Sequence, residues 1–565
     1  MIDFDPKVQD RELEDLRKDE EESLMKILSD KYGLPYIDLR GLAPEPDAMR
    51  FIKEDEARKA GVAPFKLVGH KLYVATVGPN NPLVRELLSP LETRGTELVM
   101  YLCSHASLEH VYARYADLNE GIKVNTGLLD LSLKKMEGLA ATFSRPEDMK
   151  HLFNDLVASN ILYKTTRIIE LIIAGALKFD ASDIHIEPEE ETVRIRYRLN
   201  GVLEDIAYID ADSLKQINSR FKLMSGLKLS NTASSQDGRF SIDLGDVEID
   251  VRVSVIPGNY GESFVMRLLD PRHTVADISG LALGPTLREA LEHAITKPNG
   301  VVLTTGPTGS GKTTTLYAFL RQTYSPGVKI ITIEDPIEYH LEGITQTQVD
   351  EKKEYTFLSG LRSALRQAPD VIMVGEIRDE DTAKVAINAA LTGHVVFSTL
   401  HTNNAAATIP RLVDLKVNPK IIASALSLAL AQRLVRVLCD FCKKEELSNE
   451  KESRIITNAL GAMKTANLGD EMLGFVPDTN YHIFKPVGCA RCNNGYSGRI
   501  GIFEAIVMNP QIEMILNGGN PSEREIREAA KSAKIPTLLQ DGILKVLQGV
   551  TSLEELGKAV DLLGE

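Results

Sequence analysis

Gly306-Pro-Thr-Gly-Ser-Gly311-Lys312-Thr313 follows the apolar run Gly300-Val-Val-Leu-Thr-Thr305 and precedes Thr314-Thr-Leu-Tyr-Ala-Phe-Leu320, whose spacing is helical. Strand, glycine loop and helix in that order turn the spacing G-x-x-x-x-G-K-[ST] into a P-loop prediction. Gly306, Pro307, Thr308, Gly309, Ser310, Gly311, Lys312, Thr313 and Thr314 then form a phosphate cradle. Glycines let backbone N–H groups turn inward, the helix N-terminus adds partial positive charge, Lys312 reaches the β/γ-phosphates and Thr313 ligates Mg²⁺. The expected ligand is a nucleoside triphosphate, ATP, with Mg²⁺. An ordinary glycine turn is the competing reading, and the flanking strand and helix disfavour it.

Working outward, Lys329–Ile333, Val371–Val374 and His394–Ser398 read as further strands, each followed by a helix-length segment. That alternation predicts a parallel, doubly wound sheet in an α/β domain of residues 273–565. The first strand ends in Glu334-Asp335-Pro336 and the second in Gly375-Glu376, so carboxylates stand at the edge where parallel sheets bind ligands. His394 and His401 flank the third strand, and an imidazole beside a terminal phosphate can sense it. By itself a lone histidine reads as a satisfied polar residue.

Before the motor, residues 149–272 read as an α+β domain. A long amphipathic helix from about Met149 to Lys178 precedes strands at Thr192–Leu199, Val202–Tyr208, Arg239–Leu244, Glu248–Ile256 and Ser263–Leu269, the first two joined by an Asn200-Gly201 turn. Arg194, Arg196, Arg198, Arg239, Arg252 and Arg267 alternate with apolar residues, which taken alone describes a solvated sheet face. Residues 116–148 make the best linker, and 1–115 form a small α+β module with no visible chemistry. Its first 22 residues carry ten acids against four bases and read as a solvated helix or frayed arm. Cys103 reads as a buried strand residue.

The whole chain has 565 residues and a net charge of −15, which suits several domains and disfavours nucleic acid as a partner. No basic start leads into an apolar segment, and the most apolar windows fall short of the ~20 residues of a membrane span. A soluble, cytosolic protein is expected. Four of five cysteines form Cys439-Asp-Phe-Cys442 and Cys489-Ala-Arg-Cys492, a set suited to tetrahedral Zn²⁺, although the 46 intervening residues exceed ordinary ribbon spacing. Two unrelated reduced pairs are the alternative.

The ordered set GPTGSGKTTT at 306–315, ITIEDPIEY at 331–339, LRQAPDVIMVGEIRD at 365–379 and TGHVVFSTLHTNNA at 392–405 resembles the Walker A, Asp box, Walker B and His box of the type II/type IV secretion ATPase superfamily, over roughly residues 150–565. Ala368 departs from the acid common in that family. The resemblance implies a RecA-like ATP-hydrolysing motor with a smaller domain before it, whose matching arginines, Arg252 and Arg267, act as arginine fingers. It also implies that Glu334 positions the attacking water and Glu376 organises Mg²⁺, two roles that could be exchanged, and that Arg362 and Arg366 lie near the phosphates. Asn493-Asn-Gly-Tyr-Ser-Gly498-Arg499, trailing the second cysteine pair, resembles the assembly branch, with a structural, zinc-ribbon-like element at 437–500 and C-terminal helices at 505–563. For that branch the resemblance implies a homohexamer on the cytoplasmic face of the inner membrane, acting on a platform protein in type IV pilus assembly or, alternatively, type II secretion. A RecA-like nucleic-acid motor is the remaining reading.

Overall fold

Short β-branched runs bounded by glycine and acid punctuate the second half of the chain, and in the computed structural model each becomes a buried strand. The structure describes residues 21–115, 128–129, 138–158 and 164–563, except 41, 43, 50, 69–70, 94–96, 144, 246, 274–276, 469–471, 473 and 520. Residues 1–20 of the expected acidic arm and most of the expected linker lie outside the described residues, while Glu22, expected to be solvated, is buried and accepts from Tyr36 and Ser104. The chain divides between residues 123 and 124 into two compact units.

In the first unit β1 (Val62–Val68) and β2 (Lys71–Thr76) pair antiparallel, and β3 (Glu97–Leu102) joins β2 in parallel. Helices Glu54–Ala60, Pro82–Thr93 and His105–Tyr112 accompany them. Leu39, Met49, Val62, Val74 and Cys103 are fully buried in one core; Cys103, expected as a buried strand residue, is buried but falls just past the end of β3.

The second unit contains two seven-stranded sheets. The first is built from β4 (Leu128–Leu129), β5 (Ala181–Pro188), β6 (Thr192–Leu199), β7 (Val202–Asp210), β8 (Gln236–Asp243), β9 (Glu248–Gly258) and β10 (Gly261–Leu269), in the order β4-β8-β9-β10-β5-β6-β7. Val193, Ile195, Tyr197 and Leu199 are buried while Arg194, Arg196 and Arg198 between them are not. That period-two pattern marks a sheet with one face covered. Asn200 and Gly201 turn the β6–β7 hairpin at φ 49° and 86°, the positive-φ pair that favours Asn-Gly. The single long helix expected before this sheet is instead two helices, Pro146–Ala158 and Lys164–Lys178. Met149 rests on Gly175, positions that ~1.5 Å per residue along one straight helix would hold ~40 Å apart. Folding back lets both apolar stripes cover the sheet.

The motor sheet comprises β11 (Gly300–Thr305), β12 (Ile330–Glu334), β13 (Thr345–Gln348), β14 (Val371–Val374), β15 (Val395–Leu400), β16 (Leu426–Leu438) and, after the small pair β17 (Lys444–Leu447) and β18 (His482–Lys485), β19 (Tyr496–Val507). Its order is β13-β12-β14-β15-β11-β16-β19, parallel throughout except for β19. Val301 and Leu303 enter a core on one face, and Val302 meets Phe319 and Phe397 on the other. Burial on both faces is why these strands read as continuous apolar runs. The α/β class with a parallel motor sheet is thus as expected. No helix among the described residues is long and apolar enough to cross a membrane.

Candidate functional site

At the C-terminal end of β11 the chain turns through Gly306, Gly309 and Gly311 at φ 150°, 78° and 89°. A Cβ at Gly306 would sit 2.5 Å from the Gln432 carbonyl, and one at Gly311 2.7 Å from the Gln432 amide, so glycine is required sterically as well as conformationally. Helix Lys312–Thr323 starts directly from this loop. Ser310 Oγ is buried inside it without a hydrogen-bond partner among the described residues. Lys312 Nζ donates to the carbonyls of Gly306 and Pro307 at 2.9 and 3.0 Å. Burial lowers the Lys312 pKa, Glu376 opposes that shift and Arg433 reinforces it. Burial likewise lowers Arg433. A loop of turned-in amides, an orphaned hydroxyl and two cations short of counter-charge is a cradle for a polyanion. Beside it opens a cleft of about 1060 Å³, lined by Gly311 and Thr314, by Asp180 just before β5, by Asn200 of the β6–β7 turn and by Arg499 of β19, a size that admits a nucleotide.

Glu376 follows β14 at the same edge. His401 Nε2 lies 3.1 Å from its Oε2, and Arg378 pairs with its other oxygen. Burial raises this carboxyl, but Arg378 and His401 outweigh it and hold the group below its ordinary value. Lys312, Thr313, Glu376 and His401 therefore share one edge. Glu334 is different: it is 2% exposed and accepts from Thr332 Oγ1 at 2.5 Å, from Gln346 Nε2 at 3.1 Å and from Tyr317 Oη. Burial raises its pKa against those hydrogen bonds.

Other expected residues fall elsewhere. His394 precedes β15 level with Gly300, the strand length away from the P-loop, and its Nδ1 lies 2.9 Å from the Ala389 carbonyl. It caps a helix end instead of facing the nucleotide edge. Arg362 and Arg366 ride the exposed side of helix Phe357–Leu365, which ends toward that same far edge, and Arg366 donates to Ser363 Oγ at 3.0 Å. Neither is brought to this chain's P-loop. Arg267 Nε donates to Asp183 Oδ1 at 2.9 Å, and Arg198 Nε holds Asp183 Oδ2 at 3.2 Å. Arg252 stands opposite Arg267 on one side and Arg239 on the other, so the arginines form a row across the open face. Gln432, Arg433, Arg378 and Tyr317 went unnoticed in the sequence. The polar pair Gln432-Arg433 interrupting an apolar run was the available signal.

The cysteine set closes as a cluster. Cys439 and Cys489 sulfurs lie 3.9 Å apart, Cys442 and Cys492 3.7 Å, and all four fall within 4.8 Å of one another. Four sulfurs ~2.3 Å from a common centre would be spaced ~3.8 Å, so the set fits Zn²⁺. Helix Glu450–Thr465 and the β17–β18 pair occupy the intervening residues, which is how so long a gap still brings the two pairs together.

Residues 162–558 match the family described as Type II/IV secretion system protein, and residues 32–121 the MshEN domain. The chain belongs to the type II/IV secretion system protein family. This secretion-family chain is 35% identical over 542 residues to "Type IV pilus assembly ATPase PilB" of Thermus thermophilus, covering 95% of itself and 57% of that protein. It therefore spans little more than half the length of that relative. It is 41% identical over 391 residues to "Type II secretion system protein E" of Pseudomonas aeruginosa, covering 69% of itself and 74% of that protein. Among solved structures the ATPase DotB of Legionella pneumophila shares the fold, at 22% identity and a TM-score of 0.51 over 71% of this chain and 97% of that one.

Proposed function

We propose that this family member is an ATP-hydrolysing motor for type IV pilus assembly. The carrying observation is the gathering of the P-loop, Glu376 and His401 at one edge of a parallel sheet. The MgATP phosphates are held by the loop amides and Lys312, and Mg²⁺ by Thr313 and Glu376, where the ion supplies charge neutralisation for phosphoryl transfer. Arg252 and Arg267, carried by the 149–272 region, supply positive charge to the terminal phosphate. Four cysteine thiolates hold Zn²⁺ in a structural role. The working form is a cytoplasmic homohexamer that pushes on an inner-membrane platform protein, with no nucleic acid involved. Turnover is tested by Mg²⁺-dependent phosphate release: Lys312→Ala removes it by orders of magnitude, and parent-rate hydrolysis by that variant would sink the assignment.

Type II secretion is the second reading, since the secretion relative aligns with the motor at the higher identity. The pilus reading is favoured because its relative aligns over 95% of this chain. Deleting the gene and scoring surface filaments against exported enzymes separates the two.

A further inference from the structure

Arg252 leaves the open face of the first sheet and reaches the motor. Its Nη1 pairs with Glu338 Oε2 at 3.0 Å, and its Nη2 donates to the Ile337 carbonyl at 2.5 Å. Both prongs of the guanidinium are thereby engaged by consecutive residues just after Glu334-Asp335-Pro336. Glu338 is tied inward as well, its backbone N–H donating to Tyr317 Oη at 3.3 Å, and Tyr317 donates to the buried Glu334. The Tyr317 ring stands edge-on to Tyr339, 4.5 Å between centroids. A continuous path thus joins an arginine on one sheet to a buried carboxylate under the other. Two arginines, Arg239 and Arg267, flank Arg252 in register, and like charges side by side on neighbouring strands repel. Arg267 is answered by Asp183. Arg252 is answered by Glu338.

We propose that Glu338 is a positioning residue that holds Arg252 away from nucleotide until a terminal phosphate displaces it, and that this exchange reorients the 337–339 segment on which the Tyr317–Glu334 hydrogen bond depends. This rests on reading Arg252 as an arginine that reaches phosphate. A guanidinium occupied by Glu338 is unavailable to the ligand, so the apparent affinity falls by the fraction of Arg252 that is free. The pair is about 30% exposed on each side, so its hold is modest, roughly two- to fivefold in affinity. ADP has no terminal phosphate to compete, so the effect falls on ATP alone.

The test measures ATP and ADP affinity of the full-length chain with Mg²⁺ for the parent, Glu338→Gln and Glu338→Asp. Both variants should bind ATP roughly two- to fivefold tighter and ADP unchanged, the shorter Asp losing reach while keeping its charge. A loop merely disturbed would weaken both nucleotides. In an Arg252→Ala background Glu338→Gln should change nothing, because Glu338 acts through that arginine. Equal shifts for ATP and ADP, no shift, or a shift that survives Arg252→Ala would each overturn the proposal alone. A parent that fails to bind ATP would remove both the proposal and the motor reading.

Discussion

The motor sheet is apolar on both faces and gathers Lys312, Glu376 and His401 at one edge, whereas the first sheet buries one face and carries Arg198, Arg252 and Arg267 as a row on the other. An edge site is assembled from loops that follow separate strands, so each residue can be exchanged without moving the others. A face site depends on strand register, because a slip of one residue would turn every arginine of that strand into the core. On the proposed reading the edge binds and the face approaches what the edge has bound.

The division predicts that losing a face arginine spares binding and harms turnover. Arg252→Ala should lower phosphate release by ~10³–10⁵, the range of an arginine finger, with ADP affinity kept and ATP affinity lowered only severalfold. Glu376→Gln, an edge change, should lower turnover and Mg²⁺ dependence together. If Arg252→Ala hydrolysed at the parent rate, the face would be only a solvated surface.

A smaller effect concerns the cysteine cluster. Purified chain should carry about one zinc per chain by elemental analysis, and Cys489→Ser should lose it and melt several degrees lower. Zinc in finger peptides contributes ~10–16 kcal/mol, an upper bound here because helix Glu450–Thr465 has its own place in the motor core. Metal-free protein with an unchanged melting curve would remove the metal reading and leave the motor untouched.

The smallest effects distinguish the two acids by sign. Burial raises the native pKa of Glu334 above its ordinary 4.5, so its contribution to stability is complete below about that pH and is lost as pH rises through the raised value. Glu334→Gln lacks this loss, so its melting temperature relative to the parent should climb from pH 4.5 to pH 8. Glu376 titrates below its ordinary 4.5. Its contribution is present above that value and disappears as pH falls through the lowered one, so the deficit of Glu376→Gln should shrink in acid. Parallel trends for the two variants would contradict their opposite surroundings.

Much of this was legible because the signals are local. The P-loop, the Asn200-Gly201 hairpin, the motor strands and the cysteine pairs each lie within a dozen residues. What escaped depends on partners distant in sequence. Ala181–Pro188 alternates as a strand does, yet it follows a helix with no turn signal to mark its start. The helical period continues through Met149–Lys178, and only the seat of Met149 on Gly175 requires the chain to reverse. Glu334 and Glu376 both end strands, so sequence made them equivalent, and their partners separate them: Tyr317, Thr332 and Gln346 for the one, Arg378 and His401 for the other. His394 and His401 likewise flank one strand, and direction alone sends one of them to the wrong edge.

The alignment of β16 with β19 leaves Arg436 almost buried, stacked 4.0 Å over Tyr496 and held by Glu555 through two hydrogen bonds of 2.9 and 2.7 Å. Glu555 belongs to the short helix Leu553–Ala559 near the end of the chain. Loss of helix Leu553–Ala559 strands a guanidinium in the interior, at a penalty of about 3–5 kcal/mol. Helix Leu553–Ala559 works as a rivet, closed by one carboxylate.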